Sequence, residues 1–439
     1  MSILTFKGGV HPYDGKELTK DGQVVEYNPK GEIAIALSQH IGAPATPIVK
    51  AGDEVKVGQK IAEASGFISA NIHSSVSGTV KKIEPRLMAN GGKVNCIIIE
   101  NDGKYEEVEI KKPKPLSELS KAEIRELVKE AGVVGMGGAC FPTNVKLSPK
   151  NENDIDFVIV NGAECEPYLT SDYHRMMEQP EILIEGLKVS LTLFEKAKGI
   201  IAIEDNKPEA IKKLKELVKD EPRIEVKQLY TKYPQGAERM LIYACTGRKI
   251  NSSMLPADAG CVVDNVDTMF AIYDAVIEGK PLIQRIMTIT GDAINKPQNF
   301  LVRIGTNQSE LIEAAGGFKE EPEKIISGGP MMGFAMSSTD VPIQKGSSSL
   351  LCLIKDPVSA VEESNCINCG RCVDACPENL LPSRLAKVAR QGNMEEFEKL
   401  NGLECCECGS CSYICPAKRN LTQSIKSMRK DVLASKKKK

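Results

Sequence analysis

The run Cys366-Ile-Asn-Cys369-Gly-Arg-Cys372-Val-Asp-Ala-Cys376-Pro377 returns as Cys405-Cys-Glu-Cys408-Gly-Ser-Cys411-Ser-Tyr-Ile-Cys415-Pro416. Both copies read C-x2-C-x2-C-x3-C-P, the spacing of bacterial two-cluster ferredoxins. Three thiolates on a tight loop wrap one corner of a 4Fe-4S cubane, and the fourth, on the helix beyond, faces the other cluster. Cys366, Cys369, Cys372 and Cys415 therefore fall to one cluster, and Cys405, Cys408, Cys411 and Cys376 to the other. Zinc needs four ligands per site and supplies no reason for the whole run to occur twice. Cys406 offers a neighbouring thiol, so a register that uses it stays open, with the repeated spacing favouring Cys405. About 28 residues separate Cys376 from Cys405 and carry helical patterns at 382–390 and 395–400. That favours an α-helical ferredoxin domain over 355–425 rather than a compact βαββαβ form.

Outward from this region, the 439 residues are too many for one ordinary core and should divide into several domains. A formal charge of -2 gives no electrostatic reason to expect nucleic acid as a partner. No apolar run approaches the ~18 residues of a membrane span, and the first residues lack a signal-peptide pattern, so a cytoplasmic location is expected. Nine of the 15 cysteines crowd between Cys366 and Cys415, which points to metal rather than disulfides. Cys96, Cys140, Cys165, Cys245, Cys261 and Cys352 lie outside the motif and read as packing residues, as does the Met331-Met332 pair. His11, His40, His73 and His174 are scattered without ligand spacing and read as satisfied surface or turn residues.

Residues 1–105 alternate short apolar segments with Gly punctuation, as in 47–61 and 72–80, and predict a β domain. Those two segments resemble the biotinyl/lipoyl barrel-sandwich hybrid, but the position of the modified lysine is Phe67, so no covalent swinging arm is expected. A Lys/Pro-rich linker at 111–115 precedes Ser120 and Glu123, whose capping-box spacing opens a helix and a second domain, 116–283. There, buried-looking strands at 157–160 and 200–203 alternate with helical patterns such as 209–219, which indicates an α/β domain. Residues 284–340 resemble the soluble-ligand-binding β-grasp (SLBB) module, with strands at 288–290 and 300–302 and a helix at 309–315. A Ser-rich connector, 345–349, leads to the cysteine domain, and 426–439 reads as a basic, solvated tail. The expected whole is a multidomain α/β chain.

Two further phrases carry chemistry. The Gly-rich run 131–146 lies between two helices, where glycine lets backbone N–H groups approach a phosphate and Lys146 can neutralise it. Asn161-Gly-Ala-Glu-Cys-Glu-Pro167 follows a strand, at the end where α/β folds bind ligands, and its carboxylates suit ribose and amide recognition. Together, GxGGxxFPTxxK, NGAECEPY, YPQGAE and Asp264-Asn-Val-Asp-Thr268 resemble the RnfC family over nearly the whole chain. More distantly they are similar to the flavin-bearing NADH-oxidising subunit of respiratory complex I.

The resemblance implies that Gly135, Gly137, Gly138 and Lys146 cradle the phosphate of FMN, with Asn161 and Asn265 near its ring or ribityl chain. It also implies that Glu164, Glu166, Tyr233 and Glu238 line the nicotinamide side and that Phe141 stacks on NAD(H). Against the complex I pattern, Met136 replaces an arginine, Ala163 an aspartate, Ala237 a glutamate, and Cys140 and Asn144 replace glycines. Nicotinamide moves hydride, clusters move single electrons and flavin converts between them, so no side-chain acid is obligatory and Glu166 serves positioning. The implied protein is a peripheral subunit on the cytoplasmic face of the membrane. It would exchange electrons between NAD(H) and a ferredoxin-type carrier, directly or through a partner, while membrane-embedded Rnf subunits move ions. An iron-sulfur scaffold without flavin, and the flavin subunit of a soluble NAD-linked hydrogenase or formate dehydrogenase, are the alternatives. The second usually carries one cluster motif, not two.

Overall fold

The computed structural model describes residues 4–437. Strands β1 (Val25–Tyr27), β2 (Glu32–Ala36), β3 (Thr46–Pro47), β4 (Glu54–Val55), β5 (Lys60–Glu63), β6 (Ile72–His73), β7 (Gly78–Leu87) and β8 (Lys93–Asn101) come first. Order β2-β8-β7-β4 makes one sheet and β3-β5-β6 a second. Alternating side chains such as Ile33, Ile35, Ile61, Ile97 and Ile99 fill the core they share. Phe67, between β5 and β6, is 81% exposed. β1 does not join this barrel; it is given to a later sheet.

The second domain opens with α1 (Lys121–Glu130), where Ser120 and Glu123 form the expected reciprocal cap, worth about 1 kcal/mol. Then come α2 (Thr143–Lys146), β9 (Phe157–Gly162), α3 (Ser171–Glu178), α4 (Pro180–Thr192), β10 (Lys198–Glu204), α5 (Pro208–Leu217), β11 (Ile224–Leu229), α6 (Glu238–Thr246), β12 (Cys261–Asn265) and α7 (Val266–Tyr273). The four strands pair in parallel, in the order β11-β10-β9-β12. Helices cover both faces of such a sheet, which is why its strands read as unbroken apolar runs. The chain moves from β9 outward to β10 and β11, then returns to β12 on the other side of β9. Strand order therefore reverses between β9 and β12, and in open α/β sheets the ligand crevice lies at the C-terminal ends of the strands at such a switch point. Asn161 and Asn265 stand opposite each other there.

The third sheet holds β13 (Gln284–Thr290), β14 (Gln298–Arg303), β15 (Lys324–Ser327), β16 (Phe334–Ala335) and β17 (Ser349–Leu353), with α8 (Gln308–Ala314) beside it. Its order is β1-β14-β13-β17-β15-β16. The Ser-rich connector is a correction: β17 is a central strand, parallel to β13 and antiparallel to β15, so the β-grasp sheet extends beyond residue 340. Gly346 to Ser348 look like linker, but the next residues, Leu350, Leu351 and Cys352, are fully buried. Lys345 is buried too, with Nζ donating to Asn71 O (2.8 Å) and Gly132 O (2.6 Å). Burial pushes its pKa down to about 7.

The last domain is helical: α9 (Arg371–Asp374), α10 (Pro382–Arg390), α11 (Met394–Lys399), α12 (Ser410–Tyr413) and α13 (Leu421–Lys437). The basic tail is the second correction, because α13 runs through it, burying Ile425, Met428 and Val432 against α10. Those residues recur at helical spacing and anchor a segment whose charge suggested solvation. Lys436 pairs with Glu398 at 3.0 Å; Lys438 and Lys439 lie outside the described residues. Of the histidines, His40, His73 and His174 are buried rather than at the surface. His174 joins Glu178 and Thr19 O, tying α3 to the N-terminal segment. Among the described residues, no helix is long and apolar enough to cross a membrane.

Candidate electron-transfer site

The Gly-rich loop is a closed hairpin: Gly135 N donates to Phe141 O (2.9 Å), and Val134 bridges Pro142. Met136 N donates to Thr268 Oγ1 (3.0 Å), which fastens the hairpin over the start of α7. A Cβ on Gly137 would lie 2.7 Å from the Asn265 Cβ, so only glycine lets the loop approach this closely. Gly137 and Gly138 are exposed at the tip, and Gly138 has no atom within 4 Å of its Cβ direction. Phe141 is half-buried at the hairpin's return.

At the crevice, Asn265 caps α7 through Asp267 N (2.9 Å), and its amide donates to Asp172 Oδ2 (2.7 Å). Asn161 donates to Gly236 O (2.9 Å). Lys146 reaches the crevice, but its Nζ is held by Val263 O (2.7 Å) and Asp264 Oδ1 (3.0 Å). Burial alone would lower the Lys146 pKa; Asp264 and Glu238 outweigh it and keep the ammonium charged. Its charge is thus committed to a buried carboxylate rather than left free for a phosphate. Glu238, the first residue of α6, is exposed at the rim.

The acidic loop after β9 is shaped by buried lysines. Lys16 Nζ donates to Glu166 O (3.0 Å) and Leu169 O (2.5 Å) and sits 4.0 Å from Glu164 Oε2; Lys207 Nζ donates to Ala163 O (2.7 Å). These contacts hold Glu164 (φ +44°) and Tyr168 (φ +69°) in left-handed backbone. Glu164 Oε1 accepts from Asp172 N (2.7 Å), whereas Oε2 has no hydrogen-bond partner. Glu166 Oε1 accepts from the N–H groups of Met331 (2.7 Å) and Met332 (3.2 Å). Burial nevertheless pushes its pKa up to about 7. Gly329 is required beside it, since a Cβ there would be 2.2 Å from Glu166 Cγ. The sequence read Met331 and Met332 only as packing; nothing local revealed that their amides close over Glu166.

Tyr233 does not line an open surface. It is 2% exposed, packed with Val10, Ala375 and Cys408, and its hydroxyl has no partner. Its backbone pairs with Val10 in both directions (2.8 and 2.9 Å), while Gly9 N reaches Ala375 O (2.9 Å). The N-terminal segment is thus a strap joining the α/β domain to the cysteine domain.

Cys376, Cys405, Cys408 and Cys411 line one cavity with Leu385 and Ile425. Cys405 packs with Cys376 and Cys411, whereas Cys406 packs on the Tyr233 side, although both border the cavity. Among the described residues, no three His, Cys, Asp or Glu gather at single-ion distances. Of the other thiols, Cys366 and Cys369 are exposed, and Cys372 and Cys415 are half-buried against the same core as Cys376 and Cys411. Ser364 N donates to Ala417 O (3.0 Å), which brings the start of the first run beside the end of the second. Five thiols border this cavity, and four of them, Cys376, Cys405, Cys408 and Cys411, fit a cluster. A glycine cradle at a strand-order crevice, with unpartnered oxygens on Glu164 and Asp264, fits a flavin nucleotide.

Family models match the chain in the order of its domains: the RnfC barrel sandwich hybrid domain (4–104), the Nuo51 FMN-binding domain (128–274), the SLBB domain (286–335) and the 4Fe-4S dicluster domain (365–419). The chain is 48% identical over 431 residues to a subunit of the proton-translocating ferredoxin:NAD(+) oxidoreductase complex of Clostridium ljungdahlii, covering 98% of this chain and 94% of that one. It is 46% identical over 435 residues to the counterpart in the Na(+)-translocating complex of Acetobacterium woodii, covering 99% and 98%. In fold, it is similar to a chain of an NAD+-reducing [NiFe]-hydrogenase in the H2-reduced state. There the TM-score is 0.51 at 17% identity, over 73% of this chain and 62% of that one.

Proposed function

The chain belongs to the RnfC family, and from that premise we propose which of its residues perform each part of the family's electron transfer. It is one of the subunits of a ferredoxin:NAD(+) oxidoreductase complex and carries FMN and two 4Fe-4S clusters, with ion transport left to other subunits. FMN held by these residues would supply the conversion between two-electron hydride transfer with NAD(H) and the one-electron transfers of the clusters.

The backbone N–H groups of Gly137 and Gly138 hold the flavin phosphate, while Gly135, whose N–H is bonded to Phe141 O, closes the hairpin that presents them. Asn161 and Asn265, facing across the crevice, orient the ring and ribityl chain. Burial raises the Asp264 pKa, and Lys146 opposes that shift and holds the carboxyl in place, so its part is electrostatic support of the crevice floor. Glu164, Glu166, Glu238 and Phe141 receive the nicotinamide nucleotide, and Glu166 positions rather than moves a proton, because its carboxylate is engaged by two backbone amides. Tyr233 excludes water between the α/β domain and the cysteine domain. Cys366, Cys369, Cys372 and Cys415 ligate one cluster, and Cys376, Cys405, Cys408 and Cys411 the other. No side chain acts as a catalytic acid or base. A ferredoxin-type carrier exchanges electrons with the clusters directly or through a partner protein of the complex, at the cytoplasmic face of the membrane.

The observation that carries this assignment is the register pairing of Asn161 with Asn265 at the reversal of strand order, beneath a glycine hairpin. Anaerobic purification with quantification of iron, sulfide and released flavin tests it. The expected result is about eight irons and one FMN per chain, with visible absorbance bleached by NADH. Iron without flavin in the wild type, or flavin retained unchanged after Asn161→Ala and Asn265→Ala, would sink it.

A further inference from the structure

Arg239 follows Glu238 in the first turn of α6, and its guanidinium reaches from the α/β domain to the cysteine domain. Nη1 donates to Glu378 Oε1 (3.2 Å), Glu404 Oε2 (3.0 Å) and Glu404 O (3.4 Å). Ser252, also on the α/β domain, donates to the same Glu404 carboxylate from N (2.8 Å) and Oγ (2.6 Å). Glu378 follows Cys376 by two residues, and Glu404 immediately precedes Cys405. One guanidinium therefore ties both cysteine runs together where they deliver thiols to the shared cavity, and ties the pair to the α/β domain. The three side chains are only 20%, 13% and 31% exposed, so the pairing is shielded from solvent screening. Tyr233, Val10, Ala375 and Cys408 form the apolar part of the same interface.

We propose that Arg239 is a positioning residue that docks the Cys376/Cys405 side of the cysteine domain onto the α/β domain. Its cation also offsets Glu378 and Glu404 and so holds the cluster on that side at a higher reduction potential. Net charge and hydrogen bonding around a cluster set its potential. Removing the guanidinium leaves two enclosed carboxylates uncompensated, which both loosens the dock and disfavours an added electron. The inference rests on the proposed occupancy of these sites by flavin and clusters.

The test uses the full holo-chain, wild type and Arg239→Gln, Arg239→Lys and Glu404→Gln variants. Iron and flavin content, EPR-monitored redox titration and amide hydrogen exchange are read for each. Arg239→Gln should keep its iron, lower the midpoint of one cluster and not the other, and speed exchange across 376–380 and 404–409 roughly tenfold or more. Arg239→Lys should restore most of the midpoint. Glu404→Gln should shift the same cluster the opposite way, upward, with a smaller rise in exchange. Unchanged midpoints and exchange in an iron-replete Arg239→Gln would overturn the proposal. If that variant loses iron, Glu404→Gln decides instead, and an unmoved cluster potential there overturns it. A wild type lacking flavin or iron would count against the functional assignment, not against the dock.

Discussion

The two cysteine loops share one backbone and occupy opposite environments. Asn368 and Glu407 have φ of +55° and +58°, Gly370 and Gly409 +78° and +83°, and Asn379 and Lys418 +54° and +50°. Each loop then enters a one-turn helix, α9 or α12. Yet Cys366 and Cys369 are exposed, with Ile367 67% exposed between them, whereas Cys408 and Cys411 are buried. The difference comes from elsewhere in the chain. Val10, Tyr233 and Met331 pack on the second loop, and Met331 O lies 3.1 Å from where a Gly409 Cβ would be. Repeated spacing writes a loop; its surroundings decide whether that loop faces the rest of the protein or a partner.

That contrast can be broken most sharply at the thiols. Cys408→Ser and Cys369→Ser should each remove about four irons, but only Cys408→Ser should also raise hydrogen exchange in the segment around Val10 and Tyr233. Equal effects on that segment would erase the asymmetry. Next in size is Tyr233→Ala, expected to destabilise by about 3–5 kcal/mol in thermal unfolding and to loosen the second loop, not the first. Tyr233→Phe should cost little, since the buried hydroxyl has no partner to lose. A slow titration with oxidant followed by EPR should then bleach the cluster of the exposed loop first; loss in the reverse order would contradict the burial pattern.

The smallest expected effect is electrostatic. Glu166, covered by the Met331 loop that also touches the second cysteine run, has its pKa raised from 4.5 to about 7 in the folded chain. The folded state therefore holds a proton that the unfolded state has already released, and stability should fall as pH rises from 4.5 to about 7. The wild-type minus Glu166→Gln difference in thermal midpoint should therefore fall as pH rises across that window and stay constant above it. A difference that does not change with pH would show that the carboxyl is ionised throughout.

How much of this was legible depended on how local the signal was. The capping box at Ser120 and Glu123, the strand around 157–160, the α10 helix and the cysteine runs were all readable, because each is a pattern of near neighbours. β17 was not, because its entry through Gly346 to Ser348 looks like linker and its burial comes from pairing with β13 and β15. α13 was hidden by the charge at its end. Lys16 and Lys207, which brace the acidic loop, gave no signal at all: a lysine in sequence reads as solvent-facing until a carbonyl far along the chain claims it. The family resemblance puts Tyr233 beside the nicotinamide, whereas the structure buries it against the cysteine domain.

By itself the sequence determined the kind of centre this protein can hold, because ligand spacing, glycine positions and strand periodicity are set by bond lengths and neighbouring dihedrals. Only the tertiary structure decided which thiols share a cavity, which cysteine loop lies under the α/β domain, and where Lys146 and Arg239 spend their charge. Those outcomes depend on burial and on partners tens to hundreds of residues away, and packing free energy acts through space rather than along the chain.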